Sequence, residues 1–350
     1  MKAKVKPRIN LDNRVPLQTV IPLSTPFVLF VDPVNTCNFQ CKFCPTGDRD
    51  LIKKTGRWQG RINFDLYRTI IDGLEEFEQP LKVLRLYKEG EPLLHTRFAD
   101  MVSYAKKSGY VEYVDTTTNG YLLTPEKVGP LLDAGIDRIN ISVDGMSDEQ
   151  YWNFAHVRVD FDRFVNNIRY LYQHKGDCEI CVKIPGDILS SEDKARFFET
   201  FGEISDRVFI ENIAPCWPAF NVEEYMDIQI REGIYGQPIG EVQSCPYIFY
   251  SIAVNTDGTV SLCFLDWERT LIIGDTKTQT IKEIWESQTL REHQVAHLQG
   301  RRKHNATCAE CGQLSHCLPD NIDAYTGQIM ERMAGRPGSH ERRVARLERV

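Results

Sequence analysis

The run CNFQCKFC places three thiols, Cys37, Cys41 and Cys44, four and three residues apart on one short stretch. A structural zinc site takes four ligands and closes itself, and a ferredoxin-type cluster also takes four thiolates. Three thiolates on one loop leave one iron of a 4Fe-4S cluster open, and a substrate or cofactor could occupy that iron. A second set follows late in the chain: Cys245, Cys263, Cys308, Cys311 and Cys317. The run CPYIFYSIAVNTDGTVSLC predicts a β-hairpin turning at Asp257-Gly258, which brings Cys245 and Cys263 together. CAECGQLSHC adds Cys308 and Cys311 in CxxC spacing. Four such thiolates could enclose an iron–sulfur cluster or zinc, and from local spacing alone zinc is the commoner outcome.

The remaining candidates read as structural. Cys178 and Cys181 fall within a predicted strand, as buried core thiols do. Cys216 follows the sixth strand and could face the cavity, but it reads as a packed thiol. His293 and His297 share a helix face without a zinc-protease glutamate, and read as a solvated pair. Trp285 belongs to the apolar face of a helix.

The elements that must position these residues alternate. Apolar or β-branched runs predict strands at 27–34, 81–87, 111–117, 138–143, 178–184 and 207–210. Helical spacing recurs at 63–78, with Asn63 as N-cap, and at 97–108, 125–134, 161–174 and 191–201. This alternation implies an α/β fold with a parallel sheet and right-handed crossovers. Six strands are too few for a closed eightfold barrel but suffice for an open, curved one. Chemistry in such sheets sits at the carboxyl ends of the strands, where the cysteine loop, Glu89–Pro92 and Asp144 fall. The expected organisation is an N-terminal arm (1–26), a partial barrel (27–212), a linker (213–240), a cysteine-rich domain (241–323) and a basic tail (324–350). The last twenty residues read as a solvated tail or terminal helix rather than a nucleic-acid arm.

Composition narrows the class. Of 350 residues, 42% are apolar and 26% charged, as in ordinary globular proteins. The net charge of −7 argues against nucleic acid as the main partner. No apolar run is long enough to cross a bilayer, and no apolar segment follows the basic start as in a secretory signal. Eleven cysteines, an odd number, with no such signal suit a cytoplasmic protein using thiols for metal or catalysis.

On these residues the chain resembles the radical S-adenosylmethionine (SAM) enzymes, whose signature is CxxxCxxC after the first strand of a partial (β/α)6 barrel. Phe43 stands at the aromatic position before the third cysteine. The resemblance implies a 4Fe-4S cluster with three Cys ligands, its open iron chelating SAM. Reductive cleavage of SAM then yields a 5′-deoxyadenosyl radical that takes hydrogen from a substrate C–H bond. It also implies an electron donor of the flavodoxin or ferredoxin type. KEGEPLLH resembles the family's Gly-Gly-Glu-Pro turn, with Glu89 replacing the first glycine, and Glu91 is carried over as acceptor of the SAM amino group. Ser142 and Asp144 resemble cofactor-contacting positions. Arg158 resembles the arginine that meets the SAM carboxylate, a pairing its guanidinium suits.

The second cysteine set resembles a SPASM or twitch domain, the auxiliary-cluster extension of this family. Twelve residues separate Cys245 from Gly258 and four separate Gly258 from Cys263, as in that pattern. Cys308, Cys311 and Cys317 continue it, but Asn321 replaces the next cysteine and none follows. The resemblance then implies one auxiliary 4Fe-4S cluster on Cys245, Cys263, Cys308 and Cys311. Cys317 is left over, as an exchanged ligand or as a free thiol.

Two substrate classes compete. About 26 residues precede the first strand, too few for a leader-peptide domain. Phe264 stands where sulfatase-maturing relatives carry an aspartate. Both features tilt the expectation to a small-molecule or glycoconjugate substrate, a sugar-like or aminocyclitol alcohol that is dehydrogenated. Asp266 is the candidate base. Epimerisation, with Cys317 returning hydrogen, and peptide or protein side-chain maturation are the alternatives. An iron–sulfur electron carrier or a zinc module stands further off, since neither needs the barrel.

Overall fold

The computed structural model describes residues 1–9, 14–218, 220–317 and 319–335. Ten strands form one sheet: β1 (Lys4–Val5), β2 (Val28–Val31), β3 (Val83–Arg85), β4 (Val114–Thr118), β5 (Arg138–Ser142), β6 (Glu179–Pro185), β7 (Arg207–Glu211), β8 (Ser251–Val254), β9 (Thr259–Ser261) and β10 (Ile272–Asp275). Their order is β1-β7-β6-β5-β4-β3-β2-β8-β9-β10. The six predicted strands are β2 to β7, each parallel to its neighbour. Helices connect them and cover the sheet. Phe161–His174 and Ser191–Phe201 span the predicted ranges, and Asn63 caps Phe64–Asp72 by accepting from the Asp65 and Leu66 amides. Buried Leu29, Leu84, Ile139, Ile141, Ile180 and Val182 meet Met101, Val128, Ile168 and Phe197 in one core. The parallel strands β2 to β7 therefore end with their carboxyl edges toward the same side, where the candidate residues lie.

The sheet does not stop where a separate second domain would begin. β8 pairs in parallel with β2, Leu29 opposite Ile252 and Val31 opposite Val254. β8 and β9 are the predicted hairpin. Gly258 sits in its turn at φ +90°, and an added Cβ would meet Leu66 Cδ2 at 2.9 Å. The N-terminal arm also joins the sheet, β1 lying parallel to β7. The 213–240 stretch carries a short helix, Val222–Met226. Two helices lacked a sequence signal strong enough to read: Arg49–Thr55, capped by Asp48, and Asp148–Ala155, capped by Ser147.

One expectation is corrected. His297 is not solvated: it is buried on Gln288–Leu298, and burial first, then the charges of Arg302 and His293, pull its pKa down to about 4. Trp285, Cys178 and Cys181 are buried as expected. The basic tail begins as a helix, Thr326–Ala334, tied back by Arg332 Nε donating to the Ile21 carbonyl (2.9 Å). The tail beyond residue 335 lies outside the described residues. Among the described residues no helix is long and apolar enough to cross a membrane.

Candidate active site

The loop after β2 folds back on itself. The Cys44 amide donates to the Cys41 carbonyl (3.1 Å) and the Phe39 amide to Cys37 Sγ (3.4 Å). Gly47 permits the return, since a Cβ there would meet Cys41 O at 2.4 Å. Burial pushes the Cys37 thiol up to about 12 and raises those of Cys41 and Cys44. Charge on Cys44 would raise Cys37 and Cys41, and charge on Cys37 would raise Cys41, so the three lie within electrostatic reach of one another. Asn119 Nδ2 lies 3.8 Å from Cys37 Sγ, and Cys41 Sγ lies 3.5 Å from Asp144 Oδ2.

The turn after β3 presses against this loop. An added Cβ on Gly90 would meet the Thr36 and Val34 carbonyl oxygens at 2.3 Å, so glycine is required there. Glu91 is buried. Its carboxylate accepts from Leu93 N (3.0 Å), Thr118 Oγ1 (2.7 Å) and Asn119 N (2.8 Å), joining the ends of β3 and β4. Burial raises its pKa against these bonds. Two oxygens offer about four acceptor sites, so one more donor can be accepted.

Glu89, the departure from the glycine pattern, is the centre of a buried ionic cluster. Its carboxylate meets Arg57 Nη1 (2.6 Å), Lys88 Nζ and Arg269 Nη2 (3.4 Å). Burial works to raise its pKa, but Lys88, Arg57 and Arg269 outweigh that and hold it below the usual range. Arg57 also stacks 3.9 Å over Trp267, whose Nε1 donates to Thr46 Oγ1 (2.9 Å), and that hydroxyl donates to the Glu89 carbonyl (2.8 Å). The cluster loop, the turn after β3 and the 266–269 stretch are thus tied at one point.

At the carboxyl ends of β5, β6 and β7 a cavity of about 150 Å³ is lined by Phe43, Ser142, Asp144, Lys183, Glu211 and Cys216, among others. Phe43, Ser142 and Asp144 are therefore brought together on the wall of one cavity. Burial pushes Asp144 up to about 7. Lys183 pairs with Glu211 across the cavity wall. Sequence reasoning missed this pair, although a lone lysine in the strand EICVKIP was the available signal. Arg158 is exposed, 5.7 Å over the Trp152 ring, and does not line the cavity.

Cys245, Cys263, Cys308 and Cys311 form the second thiol group. Burial pushes Cys245 up to about 12 and Cys308 to about 11, and raises Cys263 and Cys311. Charge on Cys245, Cys308 or Cys311 would raise Cys263 further, which places all four within electrostatic reach. Cys317 pairs instead with Cys216, Sγ to Sγ at 3.5 Å. Asp266 is buried and its carboxylate accepts from Thr270 N (2.9 Å), Thr270 Oγ1 (3.1 Å) and Leu271 N (2.9 Å), all in its own loop.

Both thiol groups fit iron–sulfur clusters. Buried thiols crowded together resist becoming thiolates until a metal supplies compensating positive charge. Among the described residues no three His, Cys, Asp or Glu side chains converge on a single ion. The ligands of a cubane, each on a different iron, need not converge.

Comparison with known proteins agrees with this geometry. The model of the radical SAM superfamily matches residues 31–198, and that of an iron–sulfur cluster-binding domain, SPASM, matches residues 245–312. Residues 31–198 thus form a radical SAM domain and residues 245–312 a SPASM domain. SAM, a 4Fe-4S cluster and auxiliary iron–sulfur chemistry are the cofactors these domains imply. A tungsten-containing aldehyde ferredoxin oxidoreductase cofactor-modifying protein of Pyrococcus furiosus is 33% identical over 239 residues, 65% of this chain and 60% of that protein. An AdoMet-dependent heme synthase of Methanosarcina barkeri is 27% identical over 168 residues, 48% of this chain and 45% of that protein. The chain thus spans about half of the length of these relatives. Among solved structures, BtrN in complex with AdoMet and 2-DOIA aligns with a TM-score of 0.51 at 20% identity, covering 81% of this chain and 92% of that one. Native anSMEcpe with bound AdoMet gives 0.56 at 16% identity, covering 87% and 95%. At these identities the likeness is one of fold.

Proposed function

We propose that this radical SAM enzyme removes hydrogen from a C–H bond of a small, sugar-like or aminocyclitol alcohol and oxidises it. The carrying observation is the cavity. It reaches from Phe43 of the three-thiol loop to Cys216, whose carbonyl lies 3.9 Å from Cys311 Sγ of the second thiol group. Its small volume and its wall of Ser142, Asp144, Lys183 and Glu211 suit a compact polar molecule rather than a peptide.

In this reading Cys37, Cys41 and Cys44 hold the cluster that binds SAM. When bound, that pair supplies the radical that takes hydrogen from the substrate. Glu91 accepts from the SAM amino group. Phe43 and Ser142 shape the near wall, and Asp144 and Lys183 orient substrate hydroxyl or amino groups. Arg158 would need its loop to move to reach a SAM carboxylate. Asp266 braces the loop that carries Cys263 rather than acting as base. Cys245, Cys263, Cys308 and Cys311 would hold one auxiliary 4Fe-4S cluster, which would supply an acceptor for the second electron. A flavodoxin- or ferredoxin-type protein supplies the reducing electron.

Anaerobically reconstituted, reduced protein should convert SAM to 5′-deoxyadenosine and hold roughly eight irons, at four per cluster. Replacing Cys37, Cys41 and Cys44 by Ala should abolish cleavage and leave roughly four irons. Undiminished cleavage in that variant would overturn the reading. A second reading, epimerisation, is favoured by the Cys216 thiol on the cavity wall, from which a hydrogen atom could return. In deuterated water an epimerase puts deuterium on the product carbon. A dehydrogenase releases a product lighter by two hydrogens.

A further inference from the structure

We propose that Cys216 and Cys317 form a redox-active dithiol, which exchanges two electrons with small-molecule disulfides entering through the cavity. The assignment rests on the four-thiol reading of the auxiliary group above, which leaves this pair outside it.

The two sulfurs stand 3.5 Å apart although 101 residues separate them in the chain. A disulfide needs about 2.05 Å, so the sulfurs must close by about 1.5 Å to join. Both positions are fixed by their own segments. Cys216 follows β7, its amide donating to the Ala214 carbonyl (2.8 Å), and it lines the cavity. Cys317 ends the short helix Gln313–His316, and the preceding His316 carbonyl accepts from Ile234 N (2.7 Å) and Gln237 Nε2 (3.0 Å). Gln313 Oε1 lies 3.3 Å from Cys317 Sγ, and its amide nitrogen donates to Tyr247 OH (2.8 Å). The thiols are half-buried, so a solute that fills the cavity reaches Cys216 first.

The chemistry balances as thiol–disulfide exchange. The Cys216 thiolate attacks one sulfur of an external disulfide. That S–S bond breaks, and one thiol leaves with the proton from Cys216. The Cys317 thiolate then attacks the Cys216 sulfur of the mixed disulfide, and a second thiol leaves with its proton. The pair has lost two electrons and two protons, and the external disulfide has gained them. A reducing dithiol reverses both steps.

The test uses reconstituted holoenzyme and 2-hydroxyethyl disulfide, a compact polar disulfide, under anaerobic conditions. After treatment, the protein is alkylated in denaturant and digested without reductant. We expect one cross-linked peptide pair joining Cys216 to Cys317, two hydrogens lighter than the free pair and absent after reduction. Cys317→Ser should instead leave a mercaptoethanol adduct on Cys216 and keep its full iron content. Cys216→Ser should show no adduct-to-cross-link conversion. The proposal is overturned if both residues remain alkylated throughout, if Cys317 links to Cys308 or Cys311, or if Cys317→Ser loses one cluster's iron. Iron measured in Cys245→Ser separates the two readings. Unchanged iron there sinks the four-thiol assignment, while the cross-link alone decides the dithiol.

Discussion

Glu89 shows how one residue can hold a site together. Its carboxylate is fully buried and faces Arg57, Lys88 and Arg269, while its own carbonyl receives the Thr46 hydroxyl of the cluster loop. Replacing a buried ion pair by apolar groups can be neutral, but removing one partner leaves uncompensated charge. Here Arg57 and Lys88 would lose their carboxylate partner at once, while Arg269 keeps Asp257 (2.7 Å). Glu89→Ala should therefore destabilise the protein by roughly 3–5 kcal/mol, read as a lower urea midpoint. Glu89→Gln keeps the shape and loses the charge. An equal loss in Gln and Ala assigns the effect to charge, and an unchanged midpoint in both would refute the role given to Glu89.

Elements explain what was readable in the chain and what was not. Phe161–His174 and Ser191–Phe201 carry an apolar stripe on one face and a side-chain cap, so local pattern and tertiary packing agree there. The two cysteine groups were legible because spacing on one loop or hairpin is a local property. The Cys216–Cys317 contact and the Lys183–Glu211 pair were not, since each depends on which strand ends become neighbours. The helix Gln288–Leu298 was legible, but the burial of His297 on it was not, for a related reason: its apolar periodicity is weak, and packing rather than pattern buries that ring. That burial has a pH signature. With a folded pKa of about 4 against 6.5 unfolded, the ring stays neutral in the fold while the unfolded chain takes up a proton. Its contribution is complete above pH 6.5 and is lost as pH falls through that value toward 4. Wild type should lose about 2 kcal/mol more than His297→Phe between pH 7 and pH 5. Parallel pH profiles of the unfolding midpoint would show that His297 titrates normally.

At the scale of the molecule, the sheet joins two family domains that the sequence divides. β2 is buried on every residue, and its far edge is covered by β8: the Phe27 and Val28 amides donate to the Tyr250 carbonyl (2.8 and 3.0 Å) and the Asp32 amide to the Val254 carbonyl (3.0 Å). Across that seam Phe264 stacks on Phe30 at 4.6 Å, and Trp267 lies under Arg57. Without the SPASM segment, β2 would expose a row of unpaired amides and carbonyls beside an apolar face, which is an aggregation edge. Arg57 and Glu89 would also lose the lid that Trp267 and Arg269 place over them. The barrel is therefore not a free-standing unit with an appended cluster carrier. A fragment ending at residue 240 should aggregate, or give a non-cooperative melt, in size-exclusion and circular-dichroism measurements. The full chain should unfold as one transition. If the fragment were monomeric and melted cooperatively near the full-chain temperature, the seam would be a docking contact between independent domains, and the continuity of the sheet would carry no energetic weight.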